Sequence, residues 1–305
     1  KHPAICVVGS SCKAHHSICI EEPVEDTQSR GPATQMSAVR ATPTTAVPTV
    51  PANKATTTMR TISMEEALGL IPTGFAHYRL VVLCGLSFMA DSLELTLLSF
   101  LAPCAAEDWS LTYSERATIT SMVFVGIVLG SLFWGQFADR HGRRATFLAS
   151  MSLVTVGGFL SAVAPNYQLL TLFRGIAGFG IGGATVPFDL VSEFIVSEQR
   201  GYFLILTEYF WCLGSILIAS LAWACLDSLG WRFLAFAATL PVCATLFVGF
   251  FCLPESPRWL LLKGREDEAL EVLRATAAAN GAIFPDNVRL EVPAPTFVRS
   301  CDTGT

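Results

Sequence analysis

Six apolar runs, each close to the roughly 20 residues that a helix needs to cross the hydrocarbon of a bilayer, limit what this chain can fold into. They cover approximately Leu80 to Leu101, Ala117 to Phe137, Ala145 to Ala164, Leu169 to Phe188, Phe203 to Leu226 and Arg232 to Leu253. Of the 305 residues, 52% are hydrophobic and only 15% charged, far from the balance of a soluble domain. The expectation is an all-α integral membrane protein. No run rich in Lys and Arg occurs, so nucleic acid is not an expected partner. Cys84, Cys212, Cys225, Cys243 and Cys252 fall inside the runs as small hydrophobes, and the 10 cysteines suggest no disulfide framework.

The first run carries two acids in its middle, Asp91 and Glu94, in the stretch YRLVVLCGLSFMADSLELTLLSFLAP. A carboxylate near the centre of a membrane helix costs several kcal/mol, which marks a functional position. Spaced three residues apart, the two share a helix face that can point into a bundle, with Val82, Leu86, Leu93 and Leu97 assigned to the opposite side. Arg174 in the fourth run and Glu208 in the fifth complete the ionisable set. Three acids then face one base. The acids can exchange a proton across the membrane or bind a cationic substrate directly. For an anionic substrate, Arg174 would be the anchor and the acids the proton carriers. The bland alternative has Arg174 neutralising Glu208 or Asp91. Phe88, Trp134, Tyr209, Phe210 and Trp211 are candidates for stacking on an aromatic or quaternary ligand, and Trp211, a turn from Glu208, is the best placed.

Loop charge sets the expected orientation. Arg140, Arg143 and Arg144 lie between the second and third runs, and Arg258, Lys263 and Arg265 follow the sixth. The positive-inside rule places these links, and both ends of the chain, in the cytoplasm. Trp109, Tyr113, Tyr167 and Trp231 are then aromatic anchors at the outer interface. Residues 1–63 read as a disordered Thr/Pro/Ala-rich tail, which contains Cys6, Cys12, His15, His16 and Cys19 without the spacing of a zinc module. Its first residue is Lys, and Met36, Met59 and Met64 are candidate initiators. Residues 64–79 form an amphipathic lead-in begun by Ser63 with Glu65 and Glu66 in its first turn, and 80–260 the six-span bundle. Residues 261–281 form an amphipathic cytoplasmic helix and 282–305 a loop or tail.

Between the second and third runs, Gly135, Asp139, Arg140, Gly142, Arg143 and Arg144 stand at fixed spacing, in a link too short for an ordinary loop. Gly142 suits a turn that other residues avoid, Asp139 can cap a helix or pair with an arginine, and the arginines bind carboxylates or carbonyls. This resembles the cytoplasmic motif of the major facilitator superfamily, G-x-x-x-D-R/K-x-G-R-R/K, at every motif position. Arg174-Gly175-x-x-Gly178-x-Gly180-x-Gly182 is similar to that superfamily's fourth helix. Glu193 with Arg200-Gly201 resembles its link from helix four to five, and Glu255 and Arg258 lie in PESPRWL, similar to the sugar-porter signature. ADSLE from Ala90 to Glu94, the piece VFVG, and ANGA from Ala279 to Ala282 resemble the synaptic vesicle 2-related protein group and its bacterial relatives that carry nicotinate-like or aromatic acids. Gly178, Gly180 and Gly183 also satisfy G-x-G-x-x-G, but no strand precedes them, so dinucleotide binding is rejected. Gly126, Gly130, Gly175, Gly178 and Gly182 instead suit close helix contacts.

The resemblance implies a twelve-helix transporter of two six-helix halves around a central cavity, with only the N-terminal half in this chain. Its implied ligands are a small organic ion, protons and the lipid bilayer, with no metal or cofactor. The motif between spans two and three would latch onto the second half, supplied by missing chain or by another chain. No nucleophile, base and orienting residue are grouped, so an enzyme is not expected. A receptor or vesicle component that kept the fold without transport is the alternative. Reading the message beyond Thr305 should reveal six more apolar runs; a stop codon there in a full-length message would overturn the expectation of a fragment.

Overall fold

The structure is a computed structural model and describes residues 59–291. The proposed disordered tail up to residue 58, the Cys6–Cys19 cluster and the tail beyond 291 lie outside the described residues. In order, the elements are β1 (Arg60–Ile62), α1 (Met64–Gly69), α2 (Phe75–Asp108), α3 (Tyr113–His141), α4 (Arg143–Ala162), α5 (Tyr167–Ile181) and α6 (Thr185–Phe194). There follow α7 (Ser197–Cys252), α8 (Pro257–Leu262), α9 (Glu266–Ala279) and β2 (Val288–Leu290). Five helices are long and apolar enough to cross a membrane: α2, α3, α4, the joined α5 and α6, and α7. In hydrocarbon every backbone polar group must find its partner within the chain, which is why these runs are predominantly helical, the fourth being interrupted only by the turn at 182–184.

Helix α2 occupies the middle of the bundle. Leu93 and Leu97, expected on a side away from the acids, are fully buried, packed with Leu101, Leu170, Leu234 and Ala238. The acids and the leucines are thus both interior, because α2 packs along α7 and against α3 and α6, and Arg174 reaches it from α5. The 56-residue α7 breaks at Gly230, whose φ of 78° is open to glycine and closed to a helix. Before the break, α7 runs alongside α2 in the same direction: the Phe203 ring packs at a tilt against Tyr78 at 5.5 Å, Phe210 lies against Gly85, and Gly214 against Met89 and Ser92. After it the contacts run back, from Trp231 Nε1 donating to Asp108 at 2.8 Å to the Thr245 hydroxyl donating to Leu86 O at 3.4 Å. Trp231, expected at the lipid interface, is 3% exposed. Its indole packs edge-on against Trp109 and is covered by the Arg232 guanidinium, so the turn buries it.

Helices α3 and α5 meet through their glycines. A Cβ on Gly126 would strike Gly175 O, one on Gly130 would strike Phe179 O, and one on Gly178 would strike Val123 O. This is the close approach expected of small residues in membrane helices. Outside the bundle, a second core gathers Ile62, Leu68, Trp259, Leu260, Leu273, Val288 and Leu290. Residues 60–62 and 288–290, expected to be unstructured, form a parallel two-strand pair, with Arg60 opposite Val288 and Ile62 opposite Leu290. Three-residue strands leave no alternation to detect; burial of Ile62, Val288 and Leu290 in this core holds them. The lead-in is also shorter than 64–79, since α2 already begins at Phe75.

Two contacts fasten this cap to the bundle. Asn280, just past α9, accepts a hydrogen bond from Ala76 N at 2.7 Å and donates to Pro72 O at 2.8 Å and to the His77 ring at 3.0 Å, so it caps the start of α2. Glu65 accepts from the Ser197 hydroxyl and amide at 2.5 and 2.7 Å and from Arg258 at 2.6 Å. The Ser197 hydroxyl, with its amide and Arg258, holds the Glu65 carboxyl below its ordinary 4.5 despite partial desolvation. A depressed carboxyl pKa means that the unfolded chain binds more protons in acid, so this stabilisation is complete above pH 4.5 and is lost as pH falls below it. Glu65→Gln should therefore lower the thermal unfolding temperature at pH 7 and weaken its fall on acidification; an unchanged acid profile would count against the contact.

Candidate functional site

Three ionisable side chains meet the hydrocarbon problem in the bundle centre in two different ways. Arg174 on α5 donates from Nη2 to Glu94 Oε2 at 2.5 Å and from Nε to the Ser161 hydroxyl at 3.1 Å. Ser161 in turn donates to Gly157 O at 2.6 Å, which fixes its lone pairs toward the guanidinium. The pair is sealed, with side-chain exposures of 1% and 0%. Glu94 Oε1 lies where a Cβ on Gly158 would come within 2.9 Å, beside Thr239 of α7. Gly158 on α4 therefore makes room for the carboxylate. Asp91, 0% exposed, has no hydrogen-bond partner on either oxygen among the described residues. Ser92 beside it ties α2 to α7 through Trp211 O at 2.7 Å and the Ser215 hydroxyl at 2.8 Å.

The expected partners divide accordingly. Arg174 neutralises Glu94 rather than Asp91 or Glu208. Glu208 is on the exposed face of α7, and Trp211 is half-buried one turn further on. Phe88 packs on Phe188 at 5.4 Å, Phe210 fills the space at Gly85, and Tyr209 is exposed. Trp134 is a packing residue: it is 3% exposed and its indole donates to Phe179 O at 2.8 Å. Ser161 and Gly158 were missed in the sequence, because a serine and a glycine inside an apolar run carry no sign of a charged neighbour. Asp189, exposed on α6, was also missed, since it stands one residue past the fourth apolar run.

Asp139, Gly142, Arg143 and Arg144 of the motif join one network at the end of the bundle that carries the cap. Gly142 at φ 97° separates α3 from α4, and a Cβ there would strike the Glu255 carboxylate. Glu255 Oε1 accepts from the amides of Arg143 at 2.8 Å, Arg144 at 3.2 Å and Ser256 at 3.0 Å, so it caps the N-terminus of α4 with a full charge. The Arg143 guanidinium spans Asp139 at 3.0 Å and Glu193 at 3.2 Å. Trp259 donates to Asp139 O at 3.0 Å and Arg144 to Phe250 O at 2.8 Å. Four residues of the expected set stand apart from this knot. A Cβ on Gly135 meets open space, Arg140 is exposed, Arg200 reaches Ile195 O at 3.4 Å, and Arg258 goes to Glu65.

A family described as "Sugar (and other) transporter" matches residues 82–287. The organic cation/carnitine transporter 7 of Arabidopsis thaliana is 37% identical over 228 residues, 74% of this chain and 45% of that protein. The synaptic vesicle 2-related protein of Xenopus laevis is 38% identical over 237 residues, 78% of this chain and 43% of that protein. The chain thus spans about half the length of the curated relatives it matches. Among solved structures, the major facilitator proton:xylose symporter XylE aligns with a TM-score of 0.60 at 19% identity, covering 67% of this chain and 50% of that one, a likeness of fold.

A sealed ion pair is costly to break from one side, because the remaining charge is left without a partner in a medium of low polarity. Arg174→Ala should destabilise the complete protein by about 3–5 kcal/mol, and Arg174→Gln combined with Glu94→Gln should recover most of that loss. Thermal unfolding in detergent measures both; equal stability of Arg174→Ala and the parent protein would contradict a buried charge pair.

Proposed function

The chain belongs to the sugar (and other) transporter family of the major facilitator superfamily, and on that premise we propose that it is the N-terminal six-span half of a twelve-helix carrier. The break at Gly230 supports counting α7 as two spans. In this reading the carrier moves a small organic ion by alternating access, coupled to protons, and the second half of the cavity comes from chain beyond this sequence or from another chain. The basic links between spans two and three and after span six lie in the cytoplasm with both ends of the chain.

Asp91 carries the proposal. An ionised carboxylate with no hydrogen-bond partner in the bundle centre costs far more than its neutral form, which carries only the smaller penalty of an unpaired polar group. Asp91 is thereby the group placed to take up and release a proton as the halves rock. Arg174 is committed to Glu94 and Ser161, which weighs against it as an anchor for an anionic substrate. Glu208 and Trp211, a carboxylate and an aromatic ring one turn apart on α7, suit an organic cation. The name of the Arabidopsis relative, an organic cation/carnitine transporter, agrees with that choice. The network of Gly142, Arg143, Glu193 and Glu255 is assigned to the cytoplasmic gate.

Uptake by the complete protein in proteoliposomes, tested with organic cations, organic anions and sugars under an imposed pH gradient, examines the reading. Asp91→Asn should abolish accumulation driven by the gradient while leaving exchange of substrate across the membrane, and Glu208→Gln should weaken cation uptake. Uptake unaffected by Asp91→Asn and Glu94→Gln together would remove the acids from the mechanism. Folded protein that transports none of the panel would favour a receptor or vesicle component.

A further inference from the structure

Where α2 enters the bundle, its first turns, the end of α6, Pro254 and the flank of α9 enclose a cavity of about 240 Å³. Ala76, Leu80, Leu83, Phe194, Val272 and Ala275 make its wall apolar. Its polar lining is almost wholly spoken for. The Thr276 hydroxyl donates to Val272 O at 2.8 Å, and the His77 ring is engaged by Asn280 and by Gly74 N. Arg79 is different: it lines the cavity, it is exposed, and it takes part in none of the ion pairs among the described residues. An apolar recess with one uncommitted cation at its rim fits an anionic amphiphile. Its volume lies below the roughly 300–1,000 Å³ of pockets that enclose a whole ligand, so the occupant has the rest of its body elsewhere. The neighbourhood supplies that elsewhere, since α2 passes from the cap into the membrane at this level and α9 carries an amphipathic face.

We propose that this cavity holds part of an acyl chain of an anionic phospholipid from the leaflet on the α9 side, with the lipid phosphate on Arg79. The lipid sits between α2 and α9, beside the Asn280 contact, and joins the cap to the first span. The proposal rests on the membrane-spanning reading of α2 and on no step of transport, so it stands or falls independently of Asp91.

The complete protein, purified in a neutral detergent, is exposed to dioleoyl phosphatidic acid or dioleoyl phosphatidylcholine and examined by native mass spectrometry and thermal unfolding. Phosphatidic acid should be retained in preference to phosphatidylcholine and should raise the unfolding temperature. Arg79→Ala should reduce that retention about fivefold, as expected for removal of one basic side chain at a lipid surface. Arg79→Lys should keep most of it, and Ala275→Phe, which fills the recess, should reduce it without touching the charge. Arg289→Ala, an exposed cation outside the cavity, should behave as the parent protein. Should Ala275→Phe fail to fold, Arg79→Ala and Arg79→Lys still decide, because the exposed Arg79 supports no part of the core. Equal retention of the two lipids, equal retention by Arg79→Ala, or equal stabilisation by dodecanoate would overturn the assignment to a phospholipid.

Discussion

Two carboxylates on one helix in a medium that cannot solvate them decide the layout of the bundle. Helix α2 cannot sit at the lipid boundary with Asp91 and Glu94 on it, so it is enclosed, and its leucines are enclosed with it. Glu94 is met by Arg174, and Ser161 and Gly158 on α4 complete the setting by accepting a hydrogen bond and leaving space. Asp91 is met by nothing among the described residues. That inequality separates two acids one turn apart: Glu94 is compensated within the packing, and Asp91 is left without a hydrogen-bond partner among the described residues.

Close approach is the second constraint. Glycines let α3 and α5 touch backbone to backbone, and the position of Arg174 on α5 follows from that contact, since a displaced α5 would carry the guanidinium away from Glu94. Lateral packing and charge compensation therefore depend on each other. The same economy appears at the cap end, where Gly142 allows Glu255 to reach the amides of Arg143 and Arg144. One carboxylate there joins the α3–α4 link to the segment after α7, while Arg143 joins that link to Glu193 on α6. Three separated parts of the chain thus meet in one charged knot at the cap end of the bundle.

The cap adds a link between segments distant in sequence. Residues 60–62 pair with 288–290, Glu65 reaches Ser197 and Arg258, and Asn280 caps α2. Any movement of the first span relative to the segment after the sixth run must pass through these contacts. The apolar recess at Arg79 opens at that joint, where an occupant would act on both sides at once.

Apolar length was enough to find the regions of the five membrane-length helices, though not their number, since the fifth and sixth runs lie together in α7; the cost of exposing backbone in hydrocarbon favours helix in each. The motif at Gly135 to Arg144 and the helix-contact role of Gly126, Gly130 and Gly178 were legible for the same kind of reason: turns and close contacts restrict residue type strongly. The choice of Glu94 over Asp91 as the partner of Arg174 was not legible, since both acids share a face and the sequence holds no record of which reaches across. Burial of Trp231 and of Leu93 and Leu97, and the strand pair at Ile62 and Leu290, belong to the same class. Each depends on where a second segment lies, and side-chain pattern along one segment is blind to that. The sequence by itself determined that acids lie within membrane helices; only the tertiary structure decided which of them is paired, because pairing is set by distances between helices that no single helix encodes.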